Sequence, residues 1–263
     1  MRNPLLLLVA VAMVAACQET PTPIAPTDDH APNMAVSELS SYFVRADAAD
    51  VGAALAEIAA NMAAQVAATE VTTASNTECI GFLSGTFDNV TVPAGGTCFL
   101  VNSIVRNNVH VLQDALATVD NTQVGNNVIG EGADVVQVRF GSVIDNNFHV
   151  DDAGDPIFFT GFLFNSTVRG NVLLRRHNPS RVGIQFSTIG HSLDVKDNTS
   201  ADFFNLDIFQ NSIGHRAEVS RNTGPGFKRV QLNTTGQRLR CVGNDAPFIG
   251  GPNPGGNAEG QCF

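Results

Sequence analysis

The chain contains no tryptophan and a single tyrosine among its 263 residues, although it has 17 phenylalanines. Proteins that hold sugars in an open groove usually stack them on tryptophan or tyrosine rings, which combine an apolar body with a polar tip. The composition therefore argues against an aromatic-lined saccharide groove. Phenylalanine has no polar tip, and we expect most of these rings to fill the interior.

Basic residues are also few. Lysine and arginine number 15 against 25 acidic residues, which sets the formal net charge at −10. Binding to a phosphate backbone needs a basic face, so this balance argues against nucleic acid as a partner. An acidic balance is typical of a soluble, aggregation-resistant surface protein.

Recognisable catalytic and metal-binding motifs are absent. The sequence has no Cys-x-x-Cys pair, zincin helix, phosphate loop, nucleophile elbow or dinucleotide fingerprint. Four of the five cysteines lie near the ends of the repeats described below, and an even number in an exported chain predicts two disulfides. Of the three possible pairings we favour Cys79–Cys98 with Cys241–Cys262, because each closes a loop of about 20 residues.

The longest apolar run is Leu5–Ala16, whose 12 residues are too few for a spanning helix but suit the core of a signal peptide. It follows Arg2 and ends in Val14-Ala15-Ala16-Cys17, which resembles the lipobox of bacterial lipoproteins. The resemblance implies a signal peptide over residues 1–16 and acylation of Cys17. Gln18, rather than aspartate, implies an outer-membrane or cell-surface destination. The alternative is an ordinary secretory signal followed by a chance cysteine.

Two segments separate this leader from the repeats. Residues 17–35 hold the candidate lipidated cysteine and a flexible tether rich in proline and threonine. Residues 36–75 are predicted to form a helical cap, because they are rich in alanine and carry an apolar stripe at helical spacing. The stripe consists of Val51, Leu55, Ile58, Met62 and Val66. The alternative is an oligomerising coiled coil, for which the stripe is short.

A short phrase recurs seven times between residues 103 and 241: a polar turn, an inward apolar residue, an outward residue and usually a second apolar residue. The first apolar positions are 109, 128, 148, 172, 193, 217 and 239, with spacings of 19, 20, 24, 21, 24 and 22 residues. Such a repeat predicts the coils of a parallel β-solenoid over residues 76–263. Val90-Thr91-Val92 predicts one further coil, making about eight.

Two other features of the repeats are regular. A second strand in several coils is indicated by alternating apolar pairs, namely Val136 and Val138, Val182 and Ile184, Leu206 and Ile208, and Val230 and Leu232. Asparagines accumulate at the turns, at positions 107, 108, 126, 127, 146, 147 and 171. Asparagine tolerates left-handed backbone and can stack its amide on the next coil, so these residues predict a structural ladder.

Three stretches give the chain a resemblance to a family: Val90-Thr91-Val92-Pro93-Ala94-Gly95-Gly96-Thr97-Cys98, the Asn-Val-x-Val phrases, and Cys241-Val242-Gly243-Asn244 with Gly260-Gln261-Cys262. Over about residues 80–263 it resembles exported bacterial right-handed parallel β-helix proteins. The resemblance implies an all-β solenoid with disulfides at its ends, and its motifs do not point to an activity. The wider class includes polysaccharide lyases, hydrolases, tailspikes and adhesins, so fold analogy does not select a function.

The outward residues of the phrases should form a column, which reads His110, Ile129, His149, Leu173, Asp194, Glu218 and Arg240. Asp194 and Glu218 fall on adjacent coils, ~4.8 Å apart at the backbone, which is near the carboxyl separation of retaining glycosidases. They are candidate catalytic residues. The alternative is a solvated charge ladder in which Arg240 neutralises Glu218.

Two patterns suggest metal sites. His191 and His215 occupy the same turn position in adjacent coils, but a third ligand is not evident, and structural histidines are the alternative. Asp151, Asp152 and Asp155 crowd one longer loop and could bind calcium, although their spacing does not match an EF-hand. A solvated acidic turn is the alternative for the second pattern.

A basic stretch is the remaining candidate. It comprises Arg175, Arg176, His177 and Arg181. Polysaccharide lyases of the β-helix class, which the chain resembles, use an arginine as base. Basic residues of this kind would also hold an anionic glycan or lipid headgroup. The alternative is an exposed turn.

These observations favour a lipid-anchored exported β-helix protein with a non-catalytic surface, binding or structural role. The coil spacing never exceeds 24 residues, so the coils lack the long loops that build deep active sites. A glycan or another surface protein is the expected partner, with calcium as a conceivable ligand. The rival expectation is a polysaccharide lyase or glycoside hydrolase.

Overall fold

The computed structural model describes residues 76–153, 159–178, 181–201, 204–254 and 257–263. The predicted signal peptide, Cys17, the tether and the helical cap lie outside these residues, as does Asp155. The described residues are organised as strands, turns and bends, without a helix, and accordingly no helix among them could span a membrane.

The described residues form a parallel β-solenoid of eight coils, numbered 1 to 8 from Thr77 to Thr235, and each coil contributes one strand to each of three sheets. Sheet I contains Thr77–Glu78, Val90–Val92, Val109–Val111, Val128–Glu131, Phe148–Asp151, Val172–Arg175, Leu193–Lys196, Ala217–Ser220, Leu239–Val242 and Ala258–Gly260. Sheet II contains Gly81–Leu83, Thr97–Val101, Leu116–Asp120, Val135–Arg139, Phe159–Phe164, Arg181–Gln185, Asn205–Phe209, Lys228–Gln231 and Phe248–Gly250. Sheet III contains Thr86–Phe87, Ile104–Val105, Gln123–Val124, Val143–Ile144, Thr167–Val168, Thr188–Ile189, Ser212–Ile213 and Thr234–Thr235. Two further strands of sheet I and one of sheet II follow coil 8.

The register of sheet I confirms the predicted repeat. Val128 pairs with Val109 on one side and with Phe148 on the other, and the remaining phrase positions pair in the same way. Val90 pairs with Val109, which confirms the additional coil. The sequence spacing therefore equals the coil length, and the predicted outward column is a column in the structure.

The core consists of aliphatic side chains stacked in register. In the eight sheet I strands from Val90–Val92 to Leu239–Val242, two inward residues are buried and the residue between them is partly exposed, as period-2 alternation requires. Val90, Val128 and Val172 have no exposed surface. Because each coil contacts only its neighbours, stability accumulates coil by coil, with ~1.5–3 kcal/mol from each large aliphatic side chain that is fully buried.

Amides line the corners, as the asparagines predict. The Asn127 amide donates to Asn108 Oδ1 at 3.1 Å, and Asn147 and Asn171 repeat the bond in the next two coils. A second ladder, which runs Asn198, Asn222, Asn244 and Gln261, lies inside the solenoid. Asn222 is completely buried, so its amide satisfies backbone groups that water cannot reach.

The inward pair predicted for the second strand of coil 8, Val230 and Leu232, is wrong, because Leu232 does not point inward. Leu232 lies one residue after the strand Lys228–Gln231, has a φ of 56° and is 39% exposed. The inward pair is Lys228 and Val230, because Lys228 pairs with the buried Leu206 of the preceding coil. A lysine at an inward position breaks the apolar alternation, and this is why the pattern pointed to the wrong pair.

The Lys228 side chain is fully buried. Its ammonium donates to the carbonyl oxygens of Gly224, at 2.7 Å, and Gly226, at 3.3 Å, and it forms an ion pair with Asp245 at 2.5 Å. It also lies 5.6 Å from the centre of the Phe204 ring. The lysine is therefore accommodated in the core because its charge reaches acceptors at the corner between sheets I and II.

Both favoured disulfides are present in the structure. Cys79 and Cys98 have a Cα–Cα distance of 5.5 Å, and Cys241 and Cys262 a distance of 5.1 Å. The first joins coil 1 to coil 2, and the second joins the last long strand of sheet I to the C-terminal residues. The two bonds therefore close the two ends of the described solenoid, where each terminal coil has a neighbour on one side only.

Candidate functional site

A groove of about 460 Å³ lies on the outer face of sheet I, where sheet I meets the turns from sheet III. It crosses coils 4 to 8, which at ~4.8 Å per coil corresponds to roughly 19 Å. Its floor is the predicted outward column, and its wall is the column of turn residues. The lining comprises Asn127, Ile129, Asn147, His149, Asn171, Val172, Leu173, Arg175, Ser192, Leu193, Asp194, Arg216 and Glu218.

The wall is formed by turns that pack closely against one another. A Cβ atom on Gly190 would lie 2.1 Å from the Arg169 carbonyl oxygen, and one on Gly214 would lie 2.0 Å from the Gly190 carbonyl oxygen. Glycine is therefore required where these turns stack. Beside them, the carboxamides of the Asn127 ladder project at the spacing of the coils, so the wall presents a regular row of amides.

Asp194 is the centre of a charge network in the groove. Its Oδ2 atom accepts from Arg175 at 2.7 Å and from Lys196 at 2.9 Å. Glu218 pairs with Asp194 in the sheet register and accepts a hydrogen bond from Ser220 at 3.3 Å. The predicted carboxylate pair is therefore on one face, and two cations offset the charge of one member.

Three polar atoms in the groove are buried without a hydrogen-bond partner among the described residues. They are His149 Nε2, Arg175 Nε and Asp194 Oδ1. An unsatisfied buried polar atom costs roughly 1–3 kcal/mol, so such groups normally hold water or a ligand. These three atoms include at least one donor and one acceptor, and they lie on the coil 5 to 7 portion of the floor.

The predicted basic stretch does not converge on one site. Arg175 lies in the groove, whereas Arg176 turns to the corner and binds Asp151 at 2.6 Å and Asp152 at 2.8 Å. Arg181 lies on sheet II, 3.6 Å from Asp207. Each arginine thus faces a carboxylate on an adjacent strand or turn.

The acidic candidates for calcium are held by the same arginine. The hydrogen bond from Arg176 lowers the pKa of Asp152, and the pKa of Arg176 is raised in return. Two coils further along the same column of corners, Arg221 lowers the pKa of Asp197 in the same manner. No group of three or more metal-ligating side chains occurs in the part of the chain that the structure describes. Asp151 and Asp152 therefore take part in a corner charge ladder.

His177 is buried behind this corner, with 1% of its surface exposed. Neither ring nitrogen has a hydrogen-bond partner among described residues, although the backbone N–H donates to Asn198 Oδ1 at 3.0 Å. Burial lowers the pKa of the imidazole to about 4. The ring is therefore neutral at pH 7 and is not part of a basic surface.

His191 and His215 stack as the sequence predicts. Their ring centres are 5.0 Å apart and the ring planes differ by 5°. Both residues are exposed on the turn column that borders the groove wall, one position before Ser192 and Arg216. The two parallel rings stack between adjacent coils, as the asparagine side chains do at equivalent turns.

Sequence reasoning missed Lys196 as a partner of Asp194 and Arg216 as a groove residue. Lys196 pairs with Arg175 in register and belongs to a second outward column, two residues after the first. Period-2 alternation could have identified this column, because residues two apart on a strand share a face. Arg216 occupies the turn position directly before the inward residue, so the coil repeat could have placed it beside Ser192.

Comparison with known proteins did not identify a relative: no family model, curated protein or solved structure matches the chain.

Proposed function

We propose that this protein is an exported, lipid-anchored, right-handed β-solenoid that binds a ligand in the sheet I groove without chemical turnover. The conclusion is carried by one observation: His149 Nε2, Arg175 Nε and Asp194 Oδ1 are buried in the floor of that groove without a hydrogen-bond partner among the described residues, and the contact of His149 Nε2 with Asp151 Oδ2, at 3.6 Å, is longer than a hydrogen bond. A bound hydroxyl group, which both donates and accepts, would satisfy donors and acceptors of this kind together.

The proposed location rests on the N-terminal sequence and the disulfides. Two disulfides favour an oxidising compartment outside the cytosol. The lipobox-like Val14-Ala15-Ala16-Cys17 favours acylation of Cys17, and Gln18 favours the outer membrane or cell surface. In this proposal residues 17–35 tether the solenoid and residues 36–75 form a helix that covers its first coil.

The groove favours an elongated polar ligand with one apolar side, such as a glycan. Ile129 and Leu173 supply an apolar strip, the asparagine row supplies amides, and Arg216 and Glu218 supply charges of both signs. The groove crosses five coils, which is long enough for several sugar units. A segment of another surface protein is the competing occupant.

A polysaccharide hydrolase or lyase is the second candidate, and the register of Asp194 with Glu218 favours it. A retaining glycosidase needs one carboxyl as proton donor and one as nucleophile. Asp194 is instead engaged by two cations, and the turns between the described strands are short. The arrangement is better suited to binding than to proton transfer.

Leu173→Arg tests the groove. The purified protein would be titrated with a panel of acidic and neutral polysaccharides, with and without calcium, while binding, new reducing ends and unsaturated products are followed. We expect binding without cleavage, and a loss of affinity of at least ~10-fold in the variant, because the long side chain fills the apolar strip. Thr91→Arg is the matched control, since Thr91 lies in the same column outside the groove.

Cleavage that disappears in both Asp194→Asn and Glu218→Gln would replace the binding proposal with the hydrolase. Equal affinity of the Leu173 and Thr91 variants for a bound polysaccharide would show that the groove is not the site. If no polysaccharide bound but a protein partner did, and if only the Leu173 variant lost that partner, the groove would remain the binding site and its ligand would be a protein.

A further inference from the structure

Sheet II carries a strip of phenylalanines on its outer face. Phe140, Phe164, Phe186 and Phe209 form an edge-to-face chain with ring centres 6.0, 5.6 and 5.7 Å apart. Phe140 is 42% exposed and Phe186 is 45% exposed. Contiguous exposed aromatic surface is uncommon on soluble proteins and marks sites of interaction.

The backbone conformation at two of these positions does not favour phenylalanine. Phe140 and Phe186 have φ values of 53° each, in the left-handed region that bulky residues seldom adopt. The equivalent corners of other coils hold Asn102, Asn121 and Asn165, which suit this conformation. Phenylalanine at these corners reduces both backbone stability and solubility. Because the ring is exposed in the monomer, burial of apolar surface does little to offset this cost.

The strip alternates between two columns. The edge column is the last outward residue of each sheet II strand, and the corner column is the residue after it. From coil 4 to coil 7 the edge residues are Arg139, Phe164, Gln185 and Phe209, and the corner residues are Phe140, Asn165, Phe186 and Gln210. Each coil thus has one phenylalanine and one polar residue, and the phenylalanine changes column at every step.

The charges on this face are paired within the chain. Arg139 binds Asp120 at 2.8 Å and also stacks on Phe140. Arg229 binds Asp207 through two N–H groups at 2.7 Å and stacks on Phe209. The strip therefore ends in an arginine–aspartate pair on both sides. It carries little net charge, although the whole chain is at −10, so two copies can approach through this face with little repulsion.

We propose that sheet II is the interface of a two-fold dimer of this chain, in which the solenoid axes are antiparallel and the axis of symmetry passes between coils 5 and 6. In this arrangement edge faces edge, corner faces corner, coil 4 faces coil 7, and coil 5 faces coil 6. Phe164 then meets the partner's Gln185, and Phe186 meets the partner's Asn165. The alternating row of phenylalanines from coil 4 to coil 7 is called the zigzag below. Each phenylalanine in the zigzag of one copy packs into a gap between the rings of the other copy.

The middle of the face agrees with this arrangement. A Cβ atom on Gly183 would lie 2.8 Å from the Phe162 ring, so that ring leans from coil 5 over the glycine of coil 6. The two-fold axis passes through this place, and the Phe162 rings of the two copies stack on each other there. At the ends, Arg139 lies over the partner's Phe209, which extends the cation–π stacking already made within each chain. The groove lies on sheet I and stays open.

Sedimentation equilibrium of the full chain over a wide concentration range tests the proposal, with Phe140→Asn combined with Phe186→Asn as the variant. We expect a wild-type dimer whose dissociation constant rises at least ~100-fold in the variant, because two aromatic anchors are lost. Asparagine suits both corners, so we expect the circular dichroism and thermal midpoint to be retained. Leu232→Asn is the control, since Leu232 has the same exposed, left-handed corner position outside the zigzag.

All variants keep residues 1–75, so association through the apolar N-terminal run would be common to every sample. If the wild-type protein stayed monomeric at every concentration, the dimer proposal would be overturned. This holds even if the phenylalanine strip then proved to bind another macromolecule. A dimer that the Phe140 and Phe186 variant leaves unchanged would also overturn it. A dimer weakened equally by Leu232→Asn would place the interface elsewhere. Weakening confined to the phenylalanine variant would support the proposal.

Discussion

At the scale of single residues, His177 and Lys228 show that this core tolerates polar groups for different reasons. Lys228 is accommodated because carbonyl oxygens and Asp245 surround the ammonium. Burial alone would raise the pKa of Asp245, but the Gly224 N–H and the lysine lower it overall, so this carboxylate stays ionised beside the lysine. His177 has no comparable partner among the described residues and is held neutral.

The His177 imidazole makes stability depend on pH. Its pKa is lowered to about 4 in the folded protein, by burial, from 6.5 in the unfolded chain. Between these values the unfolded chain binds a proton that the folded chain does not. Stability is therefore complete above pH 6.5 and falls as the pH drops from 6.5 to about 4, by up to ~3 kcal/mol.

His177→Leu should flatten this dependence, because leucine removes the proton site and keeps an apolar side chain of similar size. Thermal midpoints measured at intervals between pH 4 and pH 7 would show the effect. His191→Leu is the control, since His191 is exposed. If the His177 variant retained the wild-type slope, another group would be responsible for it.

At the scale of elements, the amide ladders hold adjacent coils in register at the corners. The amides of one coil bond to those of the next and also to backbone groups at the corners. Asn222 Nδ2 donates to Asn244 Oδ1 at 2.8 Å and to the Val195 carbonyl oxygen at 3.1 Å, while Asn222 Oδ1 accepts from Asn198 at 2.7 Å. One side chain therefore connects three coils.

Asn222→Ala should destabilise the protein by about 3 kcal/mol, because it removes three buried hydrogen bonds, to the Val195 carbonyl, the Asn198 amide and Asn244 Oδ1. Urea denaturation would measure the change in the free energy of unfolding. Asn146→Ala is the matched control, since its ladder bond to Asn126 is exposed and we expect a loss below ~1 kcal/mol. Equal losses in the two variants would show that burial does not set the strength of a ladder.

At the scale of the whole solenoid, contacts run mainly between adjacent coils, and the disulfides lie at the two ends. The terminal coils have the fewest neighbours and open first in a quasi-one-dimensional structure. Cys79–Cys98 and Cys241–Cys262 close loops of 19 and 21 residues. Each bond therefore protects its own end, with a local contribution of ~3 kcal/mol by the loop-entropy estimate.

Replacing Cys79 and Cys98 together with alanine should accelerate amide hydrogen exchange in coils 1 and 2 and leave coils 6 to 8 unchanged. Replacing Cys241 and Cys262 should give the reverse pattern, so each double variant is the control for the other. Exchange resolved by peptide would measure both. Acceleration spread evenly over all coils would mean that the solenoid opens as one cooperative unit.

The all-β solenoid, the length of each coil and the outward column can be read from the amino-acid sequence alone, which also favours the observed pairing among the three possible for the four cysteines. These follow from local rules, because period-2 alternation and turn chemistry repeat at the spacing of the coils, and a parallel solenoid stacks each repeat directly on the last. The signal remained readable even where one coil departed from it, at Lys228, since the phrase in sheet I continued unbroken.

The contacts between side chains are set by how the coils are arranged in the folded protein. Arg175 and Arg176 are adjacent in sequence, yet one enters the groove and the other turns to Asp152, because successive side chains point in different directions at a corner. The network around Asp194 and the phenylalanine zigzag of sheet II join residues some 20 positions apart. Their contacts depend on side-chain orientation between coils, which no local pattern specifies.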